Sequence, residues 1–349
     1  MTEPVIVSEP AVVESAAAAR GPLAMEAVGL NKVFKLGRSQ VLHAVRDVSF
    51  NLYQGAVVAL VGESGSGKST VAKLLAGQER PSSGVIKLEG NAVNVRGDRA
   101  FRQYKSQVQY VFQDPFSSLN PVHTVGYTLT RPVKLHQKEV KDYEKAVTAL
   151  LEQVRLTPAK QFVVKYPHEL SGGQRQRVSF ARALAARPTV LLADEPVSML
   201  DVSIRLEMLN LLDDLRARLS LALLYITHDI ASARYFADEV LVMYGGQIVE
   251  RGPAEDVTQR PAHPYTQLLI ASAPDPDNLG SVLKSGNVAV KTGAEKAGNI
   301  GPAATGCPFN NRCPFADDKC KRENPALQLV TPDRAAACWH LDAAAAPQA

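Results

Sequence analysis

The strongest constraint on this sequence lies at residues 56–70, which read AVVALVGESGSGKST. The first six residues form a continuous apolar run, the pattern of a strand that is covered on both faces of a sheet. A glycine-rich loop follows from Gly62 and ends at Lys68, where a helix is predicted to begin. Glycines in such a loop let backbone N–H groups turn inward around phosphate oxygens, and the helix start adds the positive end of its dipole. The segment therefore predicts a phosphate-binding loop in an α/β fold.

The polar residues of this loop have distinct expected roles. Lys68 is expected to bridge the β- and γ-phosphates of a nucleotide, and the Ser69 hydroxyl to bind Mg²⁺. The remaining positions supply backbone amides and small side chains around the phosphates, at Gly62, Ser64, Gly65, Ser66, Gly67 and Thr70. A plain glycine-rich turn is the alternative, but the strand–loop–helix context favours nucleotide binding.

Further apolar runs indicate the rest of the core. They lie at residues 108–112, 189–193 and 221–226. Helical patterns separate them, which predicts α/β layers around a mostly parallel sheet. Residues 48–52 alternate in polarity and predict a half-buried antiparallel strand. The stretch at about 114–172 is mainly helical, with apolar residues at helical spacing over 140–154, and is expected to form a helical subdomain inserted into the core.

Two carboxylates follow one of these apolar runs. Asp194 and Glu195 stand at the carboxyl end of the predicted strand at 189–193, the end at which open α/β sheets bind ligands. Asp194 is expected to hold the hydration shell of Mg²⁺, and Glu195 to polarise the attacking water as a general base. A solvated acidic turn without a catalytic role is the alternative, and the pair alone does not exclude it.

A second potential anion site begins at Ser171. Residues 170–177 read LSGGQRQR, and Ser171 with the amides of Gly172 and Gly173 is expected to cap a helix start. The segment, including Gln174, resembles the signature sequence of ABC ATPases. In that family this helix end faces the ATP held by the opposing subunit, so the resemblance implies two ATP molecules bound between two ATPase subunits. A simple capped helix is the alternative.

The other ABC elements also have counterparts here. Gln113 resembles the glutamine that reaches Mg²⁺ and the attacking water, and His228 resembles the histidine that contacts the γ-phosphate. Asp201 matches the loop that lines the dimer interface. Phe34 stands where the family has an aromatic residue stacked on adenine, although core packing is the alternative for it. The resemblance implies a P-loop NTPase (ABC ATPase) core with an antiparallel β subdomain and a helical insertion over residues 25–252, preceded by a disordered tail at 1–24.

Three segments resemble the ATPases of oligopeptide, dipeptide and nickel importers: 116-FSSLNP, 263-HPYT and the cysteine-containing accessory region at 253–349. This resemblance implies an ATP-hydrolysing subunit that powers import of a peptide, nickel or a short sugar. It also implies a second ATPase subunit (identical or a sister chain), two membrane permeases and, indirectly, a solute-binding protein as partners. The expected location is the cytoplasmic face of the inner membrane, as a peripheral subunit.

Composition is compatible with this reading. The net charge of +4 over 349 residues does not mark a nucleic-acid binder, and no nucleic-acid partner is expected. No apolar run reaches the roughly 18 residues that a transmembrane helix needs. A soluble ABC ATPase or a sensor protein that works without a permease is the alternative function.

All four cysteines lie in the accessory region, at Cys307, Cys313, Cys320 and Cys338. Their spacing matches neither a C-x₂-C zinc finger nor a ferredoxin run. Spacing alone leaves zinc, an iron–sulfur cluster or four metal-free thiols open, because zinc and a cluster both accept four thiolates. The importer resemblance implies a [4Fe–4S] cluster.

Overall fold

The structure is a computed structural model, and it describes residues 21–36, 41–93, 97–114, 118–272, 303 and 305–341. Nearly all of the expected N-terminal tail, residues 1–20, lies outside these residues. So do Phe116 and Ser117 of the importer-like segment.

The described strands form two sheets, an eight-stranded sheet in the order β11-β12-β10-β9-β3-β8-β7-β6 and a four-stranded sheet in the order β2-β1-β4-β5. Their bounds are β1 (Leu23–Lys35), β2 (Val41–Tyr53), β3 (Val57–Val61), β4 (Ser83–Leu88), β5 (Asn91–Ala92), β6 (Val108–Val111), β7 (Val190–Asp194), β8 (Ala222–Thr227), β9 (Glu239–Tyr244), β10 (Gln247–Pro253), β11 (Gln328–Thr331) and β12 (Arg334–Ala336).

The described helices cover the large sheet or form the insertion. Their bounds are α1 (Lys68–Leu75), α2 (Asp98–Gln107), α3 (Val125–His136), α4 (Tyr143–Gln153), α5 (Ala159–Val163), α6 (Gly172–Leu184), α7 (Val202–Leu219), α8 (Ile230–Phe236), α9 (Ala254–Gln259), α10 (Pro264–Ala271) and α11 (Asp318–Arg322), with a 3₁₀ turn at Pro167–Glu169.

The centre of the large sheet is parallel, as the apolar runs predict. Strands β6, β7, β8, β3 and β9 pair in parallel register, and every residue of β3, β7, β8 and β9 is buried. Continuous apolar runs suit this position because both faces of a parallel sheet are covered. The strand ends differ from the predicted ones by about one residue, the usual uncertainty of element boundaries.

The small sheet has the alternating pattern expected for an antiparallel sheet with one covered face. Val48, Phe50 and Leu52 of β2 are buried, while Ser49 and Asn51 between them are only half-buried. The insertion between β6 and β7 is helical, as predicted, and contains α3, α4 and α5.

The C-terminal region extends the large sheet. The hairpin of β9 and β10 is not the edge of this sheet, because β12 pairs antiparallel with β10 and β11 pairs with β12, so the edge lies two strands further out. The ion pair between Arg334 on β12 and Glu250 on β10 (2.9 Å) is buried in this extension. Phe309 joins the same apolar core as β7 and β8. The accessory region therefore packs against the core of the ATP-site sheet.

Candidate active site

The phosphate-binding loop connects β3 to α1 and is fixed by close backbone packing. A Cβ atom at Gly62 would lie 2.2 Å from the carbonyl oxygen of Met243, and one at Gly67 would lie 2.3 Å from that of Ala44. Gly67, the residue before α1, has a φ of 105°, a conformation that favours glycine. Glycine is therefore required at both ends of the loop by sterics alone.

Lys68 is buried inside the loop. Its Nζ atom donates to the carbonyl oxygens of Gly62 (2.7 Å) and Glu63 (2.8 Å), and lies 3.4 Å from Ser66 Oγ. Burial lowers the pKa of Lys68, while the carboxylates of Glu195, Asp194 and Glu63 act in the opposite direction. The ammonium group is thus oriented by backbone oxygens at the centre of the predicted phosphate site. Ser64, Gly65 and Thr70 complete the loop and the first turn of the helix.

Oxygen atoms that could bind a metal ion lie beside Lys68. The Ser69 hydroxyl donates to Asp194 Oδ1 at 3.1 Å, and the Tyr110 hydroxyl donates to Asp194 Oδ2 at 2.5 Å. Asp194 is the last residue of β7 and Tyr110 lies on the neighbouring strand β6. A hydroxyl paired with a carboxylate is a donor set that suits Mg²⁺.

The three predicted catalytic residues converge at the end of β7. Gln113 Nε2 donates to Glu195 Oε2 at 2.8 Å, and His228 Nδ1 lies 3.3 Å from Glu195 Oε1. The Glu195 N–H donates to the carbonyl oxygen of Ile226 on β8, which ties the carboxylate to the sheet. Glu195 has a φ of 45°, a conformation that non-glycine residues adopt at some energetic cost and that is enriched at functional sites.

The signature helix α6 begins as predicted. Ser171 Oγ accepts the N–H of Gln174, and Gln174 Oε1 accepts the N–H of Ser171, a reciprocal capping box. A Cβ atom at Gly173 would lie 2.9 Å from Ile204 Cγ2, so this helix start packs closely on α7. Within the described part of the chain, no hydrogen bond or ion pair joins Ser171 or Gln174 to the phosphate-binding loop.

The remaining two predicted residues lie apart from the catalytic carboxylate. Asp201 is exposed and directly precedes α7, without a capping hydrogen bond from its side chain. Phe34 is half-buried near the end of β1, and the Lys32 ammonium lies 4.7 Å from its ring centroid. Phe34 pairs with Leu42 of β2, near the end of an inner strand of the small sheet.

The four cysteines are free thiols that are close enough to influence one another. Burial, with a smaller contribution from neighbouring cysteines, raises the pKa of Cys307 to about 11 and that of Cys313 to about 12. Nearby backbone N–H groups act in the opposite direction on the pKa values of all four thiols, and the N–H of His340 donates to Cys338 Sγ at 3.3 Å. Cys320 lies within 4.8 Å of potential ligand atoms of Asp317 and His340.

Comparison with known proteins identifies the family. The family model for ABC transporters matches residues 45–198, and the model for the oligopeptide/dipeptide transporter C-terminal region matches residues 249–320. A probable peptide ABC transporter ATP-binding protein of Sinorhizobium fredii is 42% identical over 307 residues, which cover 88% of this chain and 84% of the relative. The chain belongs to the ABC transporter ATP-binding proteins. A dipeptide transport ATP-binding protein of Haemophilus influenzae is 38% identical, over 91% of this chain and 97% of the relative.

Solved ABC cassettes share the fold of this ABC ATPase. A dimeric cassette bound to ADP and Pi, in a post-hydrolysis state, matches with a TM-score of 0.58 and 26% identity, over 66% of this chain and 98% of the cassette. A subunit of an ABC transporter complex from Clostridium perfringens matches with a TM-score of 0.59 and 28% identity, over 68% and 90% of the two chains. The chain is therefore the ATP-hydrolysing subunit of a membrane transporter, and it uses Mg²⁺. None of the helices that the structure describes is long and apolar enough to cross a bilayer.

Two contacts of the ABC ATPase site are absent from the sequence prediction. Tyr110 was part of an apolar strand pattern, yet its hydroxyl holds Asp194. Arg312 lies between Cys307 and Cys313, and its sequence context predicts no role for it. In the structure it donates two hydrogen bonds to Glu63 of the phosphate-binding loop. A tyrosine near the carboxyl end of a buried strand is a sequence signal that could have indicated the contact between Tyr110 and Asp194. The second joins residues 249 positions apart, and no local pattern indicates it.

Proposed function

We propose that this ABC ATPase powers the import of peptides or a related small solute. The match of its C-terminal region to the oligopeptide/dipeptide transporter family is the observation that carries the proposal. The names of its relatives from Sinorhizobium fredii and Haemophilus influenzae point in the same direction. By the same analogy the chain works with two permeases and, indirectly, a solute-binding protein, at the cytoplasmic face of the inner membrane.

The hydrolytic step is assigned to Glu195. A water molecule placed next to Glu195 gives up a proton to the carboxylate while its oxygen attacks the γ-phosphorus, and the bond to ADP breaks. Gln113 orients the carboxylate through its hydrogen bond to Oε2. His228, next to Oε1, is positioned to donate to the γ-phosphate. Lys68 and the amides of the loop compensate the negative charge of the phosphates.

Mg²⁺ fits the residues beside Lys68. Ser69 Oγ and Asp194 Oδ1 lie 3.1 Å apart and supply the hydroxyl and carboxylate oxygens that this ion prefers. When bound, Mg²⁺ neutralises phosphate charge. Tyr110 keeps the Asp194 carboxylate oriented toward this position from its other oxygen.

The signature helix is proposed to complete the site of a partner. Among the described residues, neither Ser171 nor Gln174 is hydrogen-bonded to the chain's own phosphate-binding loop, and a helix start attracts anions. A second ATPase subunit, identical or a sister chain, would then place its loop opposite Ser171, Gly172 and Gly173, with Asp201 at the interface. The dimeric cassette bound to ADP and Pi supports this arrangement. Phe34 is proposed to stack on the adenine ring.

The four cysteines are proposed to hold a [4Fe–4S] cluster. A single zinc ion with Zn–S bonds of about 2.3 Å keeps its thiolates about 3.8 Å apart. Among the described residues, the only three potential ligand atoms within 4.8 Å of one another belong to Asp317, Cys320 and His340. No three of the four cysteine sulfurs lie within 4.8 Å of one another, and Cys338 Sγ accepts the N–H of His340; both features support a cluster, whose thiolates stand further apart and accept such hydrogen bonds.

Transport and the metal are tested separately. Purification of the tagged full chain from its own organism is expected to recover permease subunits, and deletion of the gene is expected to abolish peptide uptake. Recovery of ribosomes or DNA in place of permeases would contradict the import proposal.

Anaerobic purification is expected to give about four irons and four acid-labile sulfides per chain. Zinc without sulfide, or a folded metal-free region, would contradict the cluster.

A further inference from the structure

The phosphate-binding loop is held from outside at Glu63. Arg312 donates from Nη1 to Glu63 Oε2 at 2.8 Å and from Nη2 to Glu63 Oε1 at 2.9 Å. The Glu63 N–H donates to the hydroxyl of Tyr265 at 2.8 Å. The side chain and the backbone of one loop residue are thus both fixed by the accessory region.

Arg312 is itself held in place. It lies between Cys307 and Cys313, and its N–H donates to the carbonyl oxygen of Phe309 at 3.0 Å. Its guanidinium lies 5.5 Å from the ring centroid of Phe309 and 5.9 Å from that of Tyr244. Phe309 is 1% exposed and contacts Tyr244 and Tyr265 at centroid distances of 5.3 Å and 5.4 Å. The rings of Phe309 and Tyr244, together with the two hydrogen bonds to Glu63, hold the Arg312 guanidinium in one orientation.

The contact continues to the catalytic lysine. The carbonyl oxygen of Glu63 and that of Gly62 accept the two shorter hydrogen bonds of Lys68 Nζ. A shift of the backbone at these two residues therefore moves the ammonium that binds the phosphates. Arg312 also compensates the negative charge of Glu63, which lies in a loop that binds an anion.

We propose that Arg312 is a positioning residue for nucleotide binding. It fixes Glu63, and through the backbone at Gly62 and Glu63 it fixes Lys68, so that nucleotide affinity depends on the turn between Cys307 and Cys313. The inference rests on the ATPase activity of the family. It requires neither a particular cargo nor a particular metal in the cysteine region.

The test is a double-mutant cycle in the full-length chain, read out as binding of a non-hydrolysable ATP analogue with Mg²⁺. Arg312→Gln is expected to weaken binding about two- to fivefold, the effect of losing a partly exposed ion pair. In the Glu63→Gln background the same change is expected to have no further effect, because its partner is gone. Steady-state turnover should show a raised KM for ATP with kcat retained. The affinity of Arg312→Lys for the analogue should lie between those of the unmodified chain and Arg312→Gln. Lysine keeps the positive charge but cannot form both hydrogen bonds to the Glu63 carboxylate.

Arg234→Gln is the matched control. Arg234 forms an ion pair of 3.2 Å with Glu255 between α8 and α9, outside the phosphate-binding loop, and its loss should leave affinity unchanged. Equal weakening by Arg312→Gln in both Glu63 backgrounds would overturn the proposal, because Arg312 would then act through the fold of the cysteine region alone. Unchanged affinity in Arg312→Gln would overturn it too.

Discussion

The ATP site has two sides that are built in different ways. The catalytic side, with Asp194, Glu195 and His228, is formed where parallel strands end, so its residues follow directly from core strands. The accessory side, with Tyr265 and Arg312, reaches the loop from a region far along the chain. The first side carries the chemistry, and the second holds the loop on which the chemistry depends. Changes to the groups that carry the chemistry are therefore expected to alter kcat, and changes to the groups that hold them in place to alter affinity or stability.

The largest effect is expected on the catalytic side, from Glu195→Gln. The amide cannot accept a proton from water, and general-base catalysis contributes about 100- to 10,000-fold. ATP hydrolysis by the complete transporter should fall by that range while ATP binding persists, and the ATP-bound closed dimer should accumulate.

Glu255→Gln serves as the control, because Glu255 pairs with Arg234 between α8 and α9, outside the site. Turnover of Glu195→Gln near the unmodified rate would show that another group acts as base. The comparison is clearest with both ATPase subunits changed, since a sister chain could contribute a site of its own.

On the accessory side, we expect the stability of the folded chain to depend on pH through His263. His263 precedes α10, accepts the N–H of Tyr265 on Nδ1 and is fully buried against Phe309. Burial lowers its pKa to about 3, whereas in the unfolded chain it is about 6.5. Protons therefore bind preferentially to the unfolded chain, and stability that is complete above pH 6.5 is lost as the pH falls toward 3.

The expected loss is about 1.6 kcal/mol between pH 6.5 and pH 5, or about sixteenfold in the folding equilibrium. Urea unfolding of the full chain at each pH measures it. His263→Asn keeps a capping acceptor without a titratable group, so its pH dependence should be flatter by this amount. Equal slopes for the two proteins would mean that His263 is solvated in solution.

The difference between the two sides also explains what the sequence predicts. Lys68, Asp194 and Glu195 follow local patterns. Each functional side chain stands at a short, fixed distance along the sequence after an apolar strand. The helix cap at Ser171 is likewise local and forms as predicted, whereas the reciprocal bond from Gln174 that makes it a capping box was not predicted. Pairing of β12 with β10 depends instead on contacts between segments about 85 positions apart, and no local pattern indicates it.

Long-range polar contacts escape prediction for the same reason. The bond from Tyr110 to Asp194 spans 84 positions, and that from Arg312 to Glu63 spans 249. Neither residue type is unusual in its own segment, because a tyrosine suits a buried strand and an arginine suits a polar turn. Only the register of β6 beside β7, and the packing of Phe309, reveal which carboxylate each one meets.

The smallest of the three effects is expected from Tyr110→Phe. This change keeps the ring, which packs edge-on against Phe112 at 4.7 Å, and removes the hydroxyl that holds Asp194 Oδ2. Outer contacts of this kind orient metal ligands, and their loss lowers metal affinity about tenfold at the low end. The Mg²⁺ concentration for half-maximal ATPase activity should rise by about that factor, with kcat at saturating Mg²⁺ nearly retained. Tyr225→Phe is the matched control, because it removes a buried hydroxyl on adjacent β8 that bonds Ser232 instead of Asp194. An equal Mg²⁺ requirement in Tyr110→Phe and the unmodified chain would mean that Ser69 and the sheet alone orient Asp194, and that the catalytic side needs no support beyond its own strand ends.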